Sequence, residues 1–264
     1  AIPLLLGVAS LVFLALSQAF AQPASAYSEE AFTEGEAPLP YRKLLPQNFD
    51  PQASYPLVLF LHGAGERGSD NTKQLTHGSD LFTNPLTRDA FPAVVLMPQC
   101  PAGDYWAQVA VDRSSYPIGL DFQYEKGPTQ ALERVMQLLQ KYLDEPYTDP
   151  GRVYVMGLSM GGMGTFEILS RMPDTFAAAI PICGGGDPTS VSLYASQTPL
   201  WIFHGAVDQV VAPEQSLQMY QALFEAGARP GFTIYPQVNH NSWDYAFAEP
   251  ELLPWLFSHR KPSP

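Results

Sequence analysis

Basic residues are scarce in this chain: 264 residues carry 14 Lys and Arg against 26 Asp and Glu, a formal net charge of −12, with no cluster of positive charge. Such a surface repels a phosphate backbone, so nucleic acid is a poor partner. Cysteine is scarcer still. The two present, Cys100 and Cys183, cannot form a disulfide framework, and neither lies near the N-terminus, where a lipoprotein anchor would attach. Beyond residue 16 there is no long apolar run, and no internal repeat or low-complexity segment occurs anywhere. Low charge together with 26 Pro and 20 Gly indicates many turns, but 15 Phe and 13 Tyr speak against disorder. With 46% apolar residues, the length suits one well-packed core.

The one long apolar run, residues 2–16, is uncharged and leads into two small-x-small patterns, Ala19-Phe20-Ala21 and Ala24-Ser25-Ala26. It is short for a membrane span of about 20 residues, and it reads as the apolar and cleavage regions of a secretory signal peptide. The expectation is a signal peptide over residues 1–26, one domain over 27–264, no membrane span in the mature chain, and a secreted or periplasmic location.

Residues 27–40 are acidic and irregular, and residues 39–45 alternate weakly, like an edge strand entering the domain. An unbroken apolar run follows at 57–61, bounded by Pro56 and by His62-Gly63, and reads as a strand buried on both faces. Residues 93–97, 153–156 and 200–203 repeat that signature, 177–182 keeps the rhythm with less β-branching, and 232–235 is the last strand candidate. Helices fall between them. Thr129 can cap one whose apolar stripe runs Leu132, Val135, Met136, Leu139, Tyr142 and Leu143; another starts at Pro213 and stops at Gly227; a third opens after Ser159. This alternation implies an α/β architecture, a mostly parallel central sheet with helices on both faces. Residues 101–128 show no period and read as a cap over a pocket or a meandering insert.

Gly157-Leu158-Ser159-Met160-Gly161 sits between the strand at 153–156 and the helix after it. A serine on so sharp a turn tolerates no side chain two residues away on either side, and strand, Gly-x-Ser-x-Gly and helix together form the nucleophile elbow of the α/β-hydrolase fold. A serine hydroxyl needs a base, and the base needs an orienting acid; this fold supplies them in the order Ser, Asp or Glu, His. Asp208 follows the strand at 200–203 and His240 follows the strand at 232–235, both at the carboxyl edge where ligands of parallel sheets bind. Ser159, Asp208 and His240 are therefore the catalytic candidates. Asp187, after Gly184-Gly185-Gly186, is the alternative acid, whereas Asp244 lies too near His240 in sequence. Among the other histidines, His62 and His204 end buried strands beside a glycine and read as structural. His77 and His259 lie in polar surroundings, away from any strand end on the catalytic side.

The oxyanion of an acyl-transfer reaction needs backbone N–H donors. Met160 supplies one and Ala64 the other, with Gly63 as the near alternative, from the glycine-rich bend His62-Gly63-Ala64-Gly65-Glu66-Arg67-Gly68. Glu66 and Arg67 read as a local pair pinning that bend, or as groups facing the substrate. Tyr105 and Trp106 are candidates for lining the substrate pocket. In this fold Cys100 and Cys183 end strands three spacings apart, roughly 14 Å, where a disulfide needs about 7 Å, so two buried free thiols are expected.

These motifs, together with Asp70-Asn71, Pro98-Gln99-Cys100-Pro101 and Pro181-Ile182-Cys183, resemble the secreted bacterial esterases related to dienelactone hydrolase and prolyl oligopeptidase. That group includes phospholipase/carboxylesterases, feruloyl-esterase-like enzymes and predicted peptidases. The resemblance covers about residues 38–258. It implies the same three catalytic residues. The resulting expectation is a serine carboxylic-ester hydrolase acting through an acyl-enzyme on small or medium esters, small-molecule or polymer-attached, a chemistry that calls for no cofactor and no metal. A peptidase or amidase on the same scaffold is the alternative, and a non-catalytic binding module is the reading from another class.

Overall fold

The computed structural model describes residues 26–35 and 37–261. The apolar run at 2–16 and nearly all of the cleavage region lie outside them. Among the described residues no helix is long and apolar enough to cross a membrane.

The described residues form ten strands: β1 Ser28–Phe32, β2 Leu39–Leu44, β3 Tyr55–Leu61, β4 Val94–Pro98, β5 Val109–Asp112, β6 Gly119–Phe122, β7 Thr148–Leu158, β8 Ala178–Ile182, β9 Trp201–Gly205 and β10 Gly231–Tyr235. Eight of them make one sheet in the order β1-β2-β4-β3-β7-β8-β9-β10, antiparallel at β1–β2 and β2–β4 and parallel elsewhere. This is the α/β-hydrolase fold. The strand expected at the edge, β2, is covered by β1, which lies inside the segment expected to be irregular. Only Phe32 of β1 is buried, so its sequence, Ser-Glu-Glu-Ala-Phe, carries almost no apolar alternation.

Central strands alternate between two cores. Leu57, Leu59 and Leu61 point into one, and Val58 and Phe60 into the other; Val153 and Val155 divide from Tyr154 and Met156 in the same way. The helices α1 Ser79–Thr83, α2 Pro85–Ala90, α3 Gln130–Leu143, α4 Met160–Arg171, α5 Pro213–Glu225, α6 Ser242–Phe247 and α7 Leu252–Ser258 share the two faces. Residues of α3, α4 and α5 fill the first core, and residues of α1, α6 and α7 the second. Local chemistry explains the boundaries. The Thr129 hydroxyl accepts the Leu132 N–H at 3.1 Å, Pro213 opens α5, and Gly227 beyond its end adopts φ +92°.

The insert at 101–128 is a cap. Its hairpin, β5 with β6, packs Ile118 with Ala107, Met163 and Val211 in a small core of its own, and the Ile118 N–H bonds the Val210 carbonyl. The buried Glu167 carboxylate of α4 receives the Gln108 N–H at 2.6 Å, and Arg171 bonds the Tyr124 carbonyl at 2.6 Å. Cys100 and Cys183 are free and buried, just beyond the ends of β4 and β8, strands separated by β3 and β7.

Candidate active site

Strand order reverses between β3 and β7, and the crevice beyond their carboxyl ends is where a doubly wound sheet binds ligands. Ser159 stands there, between β7 and α4, with φ +54° and ψ −116°. That strained conformation is held by main-chain bonds: the Ser159 N–H to the Ile182 carbonyl at 2.8 Å, and the Met163 N–H to the Ser159 carbonyl at 3.0 Å. The turn is possible because Gly157 and Gly161 press against backbone; a Cβ on Gly161 would collide with the carbonyls of Leu61 and His62.

Asp208 and His240 arrive on adjoining loops. A Cβ on Gly205 would overlap the carbonyls of Val238 and Asn239, so glycine lets the two loops touch. The Asn239 side chain then ties them, accepting the N–H groups of Gln209 and His240, both at 2.8 Å. The result is a continuous line: Asp208 Oδ2 lies 2.7 Å from His240 Nδ1, and His240 Nε2 lies 2.9 Å from Ser159 Oγ. Burial alone would raise the Asp208 carboxyl; hydrogen bonds from His204 and His240 and from the Val210 amide instead hold it far below the carboxylate range. The acid stays ionised and can only accept.

Beside Ser159, the Met160 N–H heads α4 and is one of the donors a helix start leaves free. Gly63 and Ala64 line the same pocket from the loop after β3. The pocket encloses about 270 Å³, walled also by Glu66, His77, Tyr105, Arg113, Ile118, Val210 and Trp243. Wider grooves border it, one of about 850 Å³ sharing Tyr105 and Arg113 and one of about 650 Å³ sharing His77.

Several expectations need correction here. Trp106 does not line the pocket: it is fully buried, against Gly164 of α4 and edge-on to His62, while its neighbour Tyr105 faces the cavity. Glu66 and Arg67 do not pair. Arg67 bonds the carbonyls of Ala64 and Asp104 at 3.0 and 3.1 Å, whereas Glu66 turns toward the pocket, 3.8 Å from His77. His77 is not remote either, since its ring lies 5.1 Å from Trp243, which in turn stands edge-on to His240 at 5.4 Å. Asp187 caps the turn at 188–193 by accepting the Thr189 N–H and makes no contact with the triad.

His62 bonds backbone on both sides: its Nε2 accepts the Cys100 N–H at 2.9 Å, so Nδ1 carries the proton and donates to the Gly63 carbonyl at 2.6 Å. Burial pushes its pKa down to about 4. His204 also bonds within the fold, but it reaches Asp208 as well, at 3.2 Å, a contact that nothing in its strand-end position announces. Cys183, Asp208 and His240 place ligand-type atoms within 4.8 Å of one another. They make a poor metal site, because Asp208 and His240 are bonded to each other and burial pushes the Cys183 thiol well above its ordinary value.

Comparison with known proteins adds the lineage. Residues 94–251, well over half of the chain, match the Dienelactone hydrolase family. The chain belongs to that family. Among curated members and relatives, it is 28% identical over 203 residues to a probable carboxylesterase of Oryza sativa subsp. japonica, covering 72% of this chain and 83% of the relative. It is 26% identical over 201 residues to the carboxylesterase SOBER1 of Arabidopsis thaliana, covering 70% and 82%. Among solved structures, a thermostable esterase superposes with a TM-score of 0.81 at 35% identity, over 90% of this chain but 64% of that one. A ferulic acid esterase superposes at 0.62 with 16% identity, a likeness of fold alone. This dienelactone hydrolase family chain is thus a carboxylesterase-like α/β hydrolase.

Proposed function

We propose that the chain is a serine carboxylic-ester hydrolase in which Ser159 is the nucleophile, His240 the general base and acid, and Asp208 the group that orients His240. The unbroken hydrogen-bonded line from Asp208 through His240 to Ser159, 2.7 and 2.9 Å, carries this reading. Because Asp208 accepts from Nδ1, the His240 tautomer presents a lone pair on Nε2 to the serine hydroxyl. Ser159 Oγ bonds to the ester carbonyl carbon as its proton passes to Nε2, and the resulting oxyanion is received by the N–H groups of Ala64 and Met160. Collapse breaks the bond to the alcohol oxygen, which takes the proton from His240. Water then attacks the acyl-enzyme by the same proton path, freeing the acid and restoring Ser159.

A pocket of about 270 Å³ suits a small acyl group. The adjoining grooves leave room for a larger alcohol, small-molecule or polymer-attached. The likeness to proteins named carboxylesterases supports an ester rather than an amide as the substrate of this chain. Export, suggested by residues 1–26, fits an enzyme that meets such esters outside the cytoplasm.

Ser159→Ala should lower p-nitrophenyl butyrate turnover by about 10⁴-fold or more while leaving the far-UV spectrum and melting temperature intact. Turnover that survived this change would refute the mechanism. Labelling of the wild type by a fluorophosphonate, lost in Ser159→Ala, separates an enzyme from a binding module of the same fold; matched ester and anilide substrates separate esterase from amidase.

A further inference from the structure

We infer that His204 is a positioning residue that acts through Asp208 to set the basicity of His240, an inference that rests on the triad reading above. The Asp208 carboxylate is surrounded by donors. Oδ1 accepts the N–H groups of Val210 and Val211 at 2.8 and 3.0 Å. Oδ2 accepts from His240 Nδ1 at 2.7 Å and also lies 3.2 Å from His204 Nε2. Three hydrogen bonds thus fill most of the carboxylate's roughly four lone-pair sites, and His204 stands beside the fourth.

His204 is fully buried at the end of β9. Its Nε2 faces two acceptors, the Val211 carbonyl at 3.0 Å and Asp208 Oδ2, and so carries a proton in every charge state of the ring. The far nitrogen is fixed as well: Nδ1 lies 2.7 Å from Ser216 Oγ, a fully buried hydroxyl that bonds the Gly184 carbonyl at 3.0 Å. The ring cannot turn away from Asp208. The Nε2–H that bonds the Val211 carbonyl also stands 3.2 Å from Oδ2, and its dipole draws negative charge from the same oxygen that His240 uses. It thereby weakens the carboxylate's support of a protonated His240.

The other titratable or charged groups around this site are the Cys183 thiol beside Asp208, and Glu66, His77 and Arg113 on the pocket wall facing His240. None is bonded to His204, so a change at position 204 reaches His240 through Asp208.

The test is the acidic limb of the kcat/KM profile for p-nitrophenyl butyrate. His204→Asn keeps a polar atom near Ser216 and loses the donor at the Nε2 position; His204→Gln carries its amide nitrogen to that position. The inference expects the limb to move up by roughly 0.5 to 1 pH unit in His204→Asn and by less than half of that in His204→Gln. A limb that stays in place in His204→Asn, with only melting temperature and plateau lowered, is what a purely structural histidine gives, and it overturns the inference. So does a downward shift.

Should His204→Asn not fold, two-bond ¹H–¹⁵N spectra of histidine-labelled wild type decide the matter: Nε2 of residue 204 must stay protonated through the active pH range, and an unprotonated Nε2 there refutes the role. If Ser159→Ala retains turnover, the triad reading fails; if Ser159→Ala is inactive but the limb does not respond to position 204, the inference alone fails.

Discussion

Gly161→Ala adds one methyl group where the first turn of α4 crosses the end of β3. Built on this backbone, the new carbon would lie 2.5 Å from the Leu61 carbonyl carbon and 2.8 Å from the His62 carbonyl oxygen. Carbon atoms pack comfortably at about 3.5–4.0 Å, so helix and strand must part by about 1 Å. Alanine's better helix propensity offsets about 1 kcal/mol of the cost. Overpacking costs about 1–3 kcal/mol where side chains can yield. Here the obstacle is main chain, in a strand bonded on both sides by β4 and β7, and it cannot yield. The net loss should reach at least about 3 kcal/mol, a fall in melting temperature of roughly 6–12 °C for a chain of this size. Activity should fall by about 10-fold or more in the folded fraction, because the displaced turn carries both Ser159 and the Met160 N–H. Thermal unfolding followed by circular dichroism, with kcat/KM measured on the same samples, checks both. Gly65→Ala is the control: no atom lies within 4 Å of its added carbon, and stability should stay within about 0.5 kcal/mol. A Gly161→Ala protein as stable as the wild type would refute the claim that backbone contact at this point demands glycine.

Acid should weaken the fold before its carboxylates titrate. Burial holds the His62 pKa at about 4 against 6.5 for an ordinary histidine, so the unfolded chain binds a proton that the native one does not; stability is full above pH 6.5 and falls by roughly 3 kcal/mol toward pH 4, and urea unfolding at pH 7.5 and 4.5 should lose most of that difference in His62→Gln. Trp106→Ala should cost about 3–5 kcal/mol without changing the ranking of acyl chain lengths, whereas Tyr105→Ala should change the ranking at a smaller cost in stability; denaturation curves and an ester panel distinguish the two. The Glu66 carboxylate on the pocket wall should disfavour anionic substrates, and Glu66→Gln should raise kcat/KM for a hemisuccinate ester about 3-fold relative to a neutral ester of equal length.

What could be read from the residues depended on how much of the information was local. Strands β3, β4, β7 and β9 are buried on both faces and therefore appear as unbroken apolar runs that need no partner to be recognised. β1 buries only Phe32, and the hairpin strands bury alternate positions only and none of them fully, so their patterns sink into the surrounding polar sequence. The elbow around Ser159 is a local steric demand and shows in five consecutive letters. The meeting of Ser159 with Asp208 and His240 was legible because each follows a strand of one parallel sheet, which brings strand ends together whatever their separation in the chain. The choice between Tyr105 and Trp106 was not legible: neighbouring residues point to opposite sides, and without the path of the insert nothing says which side is the cavity. The contact of His204 with Asp208 depends on how the loop at 206–211 folds back over the strand end, and the approach of His77 to Trp243 depends on packing between segments more than 150 residues apart.

The hairpin over the pocket stands on its own small core, and the segment around it is tied to α4 by Gln108 to Glu167 and Arg171 to Tyr124. Substitutions at Ile118 or Arg113 therefore alter the cavity wall without entering the two large cores that hold the strands in register, and Tyr105 touches only the margin of one of them. Diversification of what the cavity accepts can proceed at those positions while the chemistry beneath is left alone, which makes this segment the place to begin when the enzyme is to be retargeted.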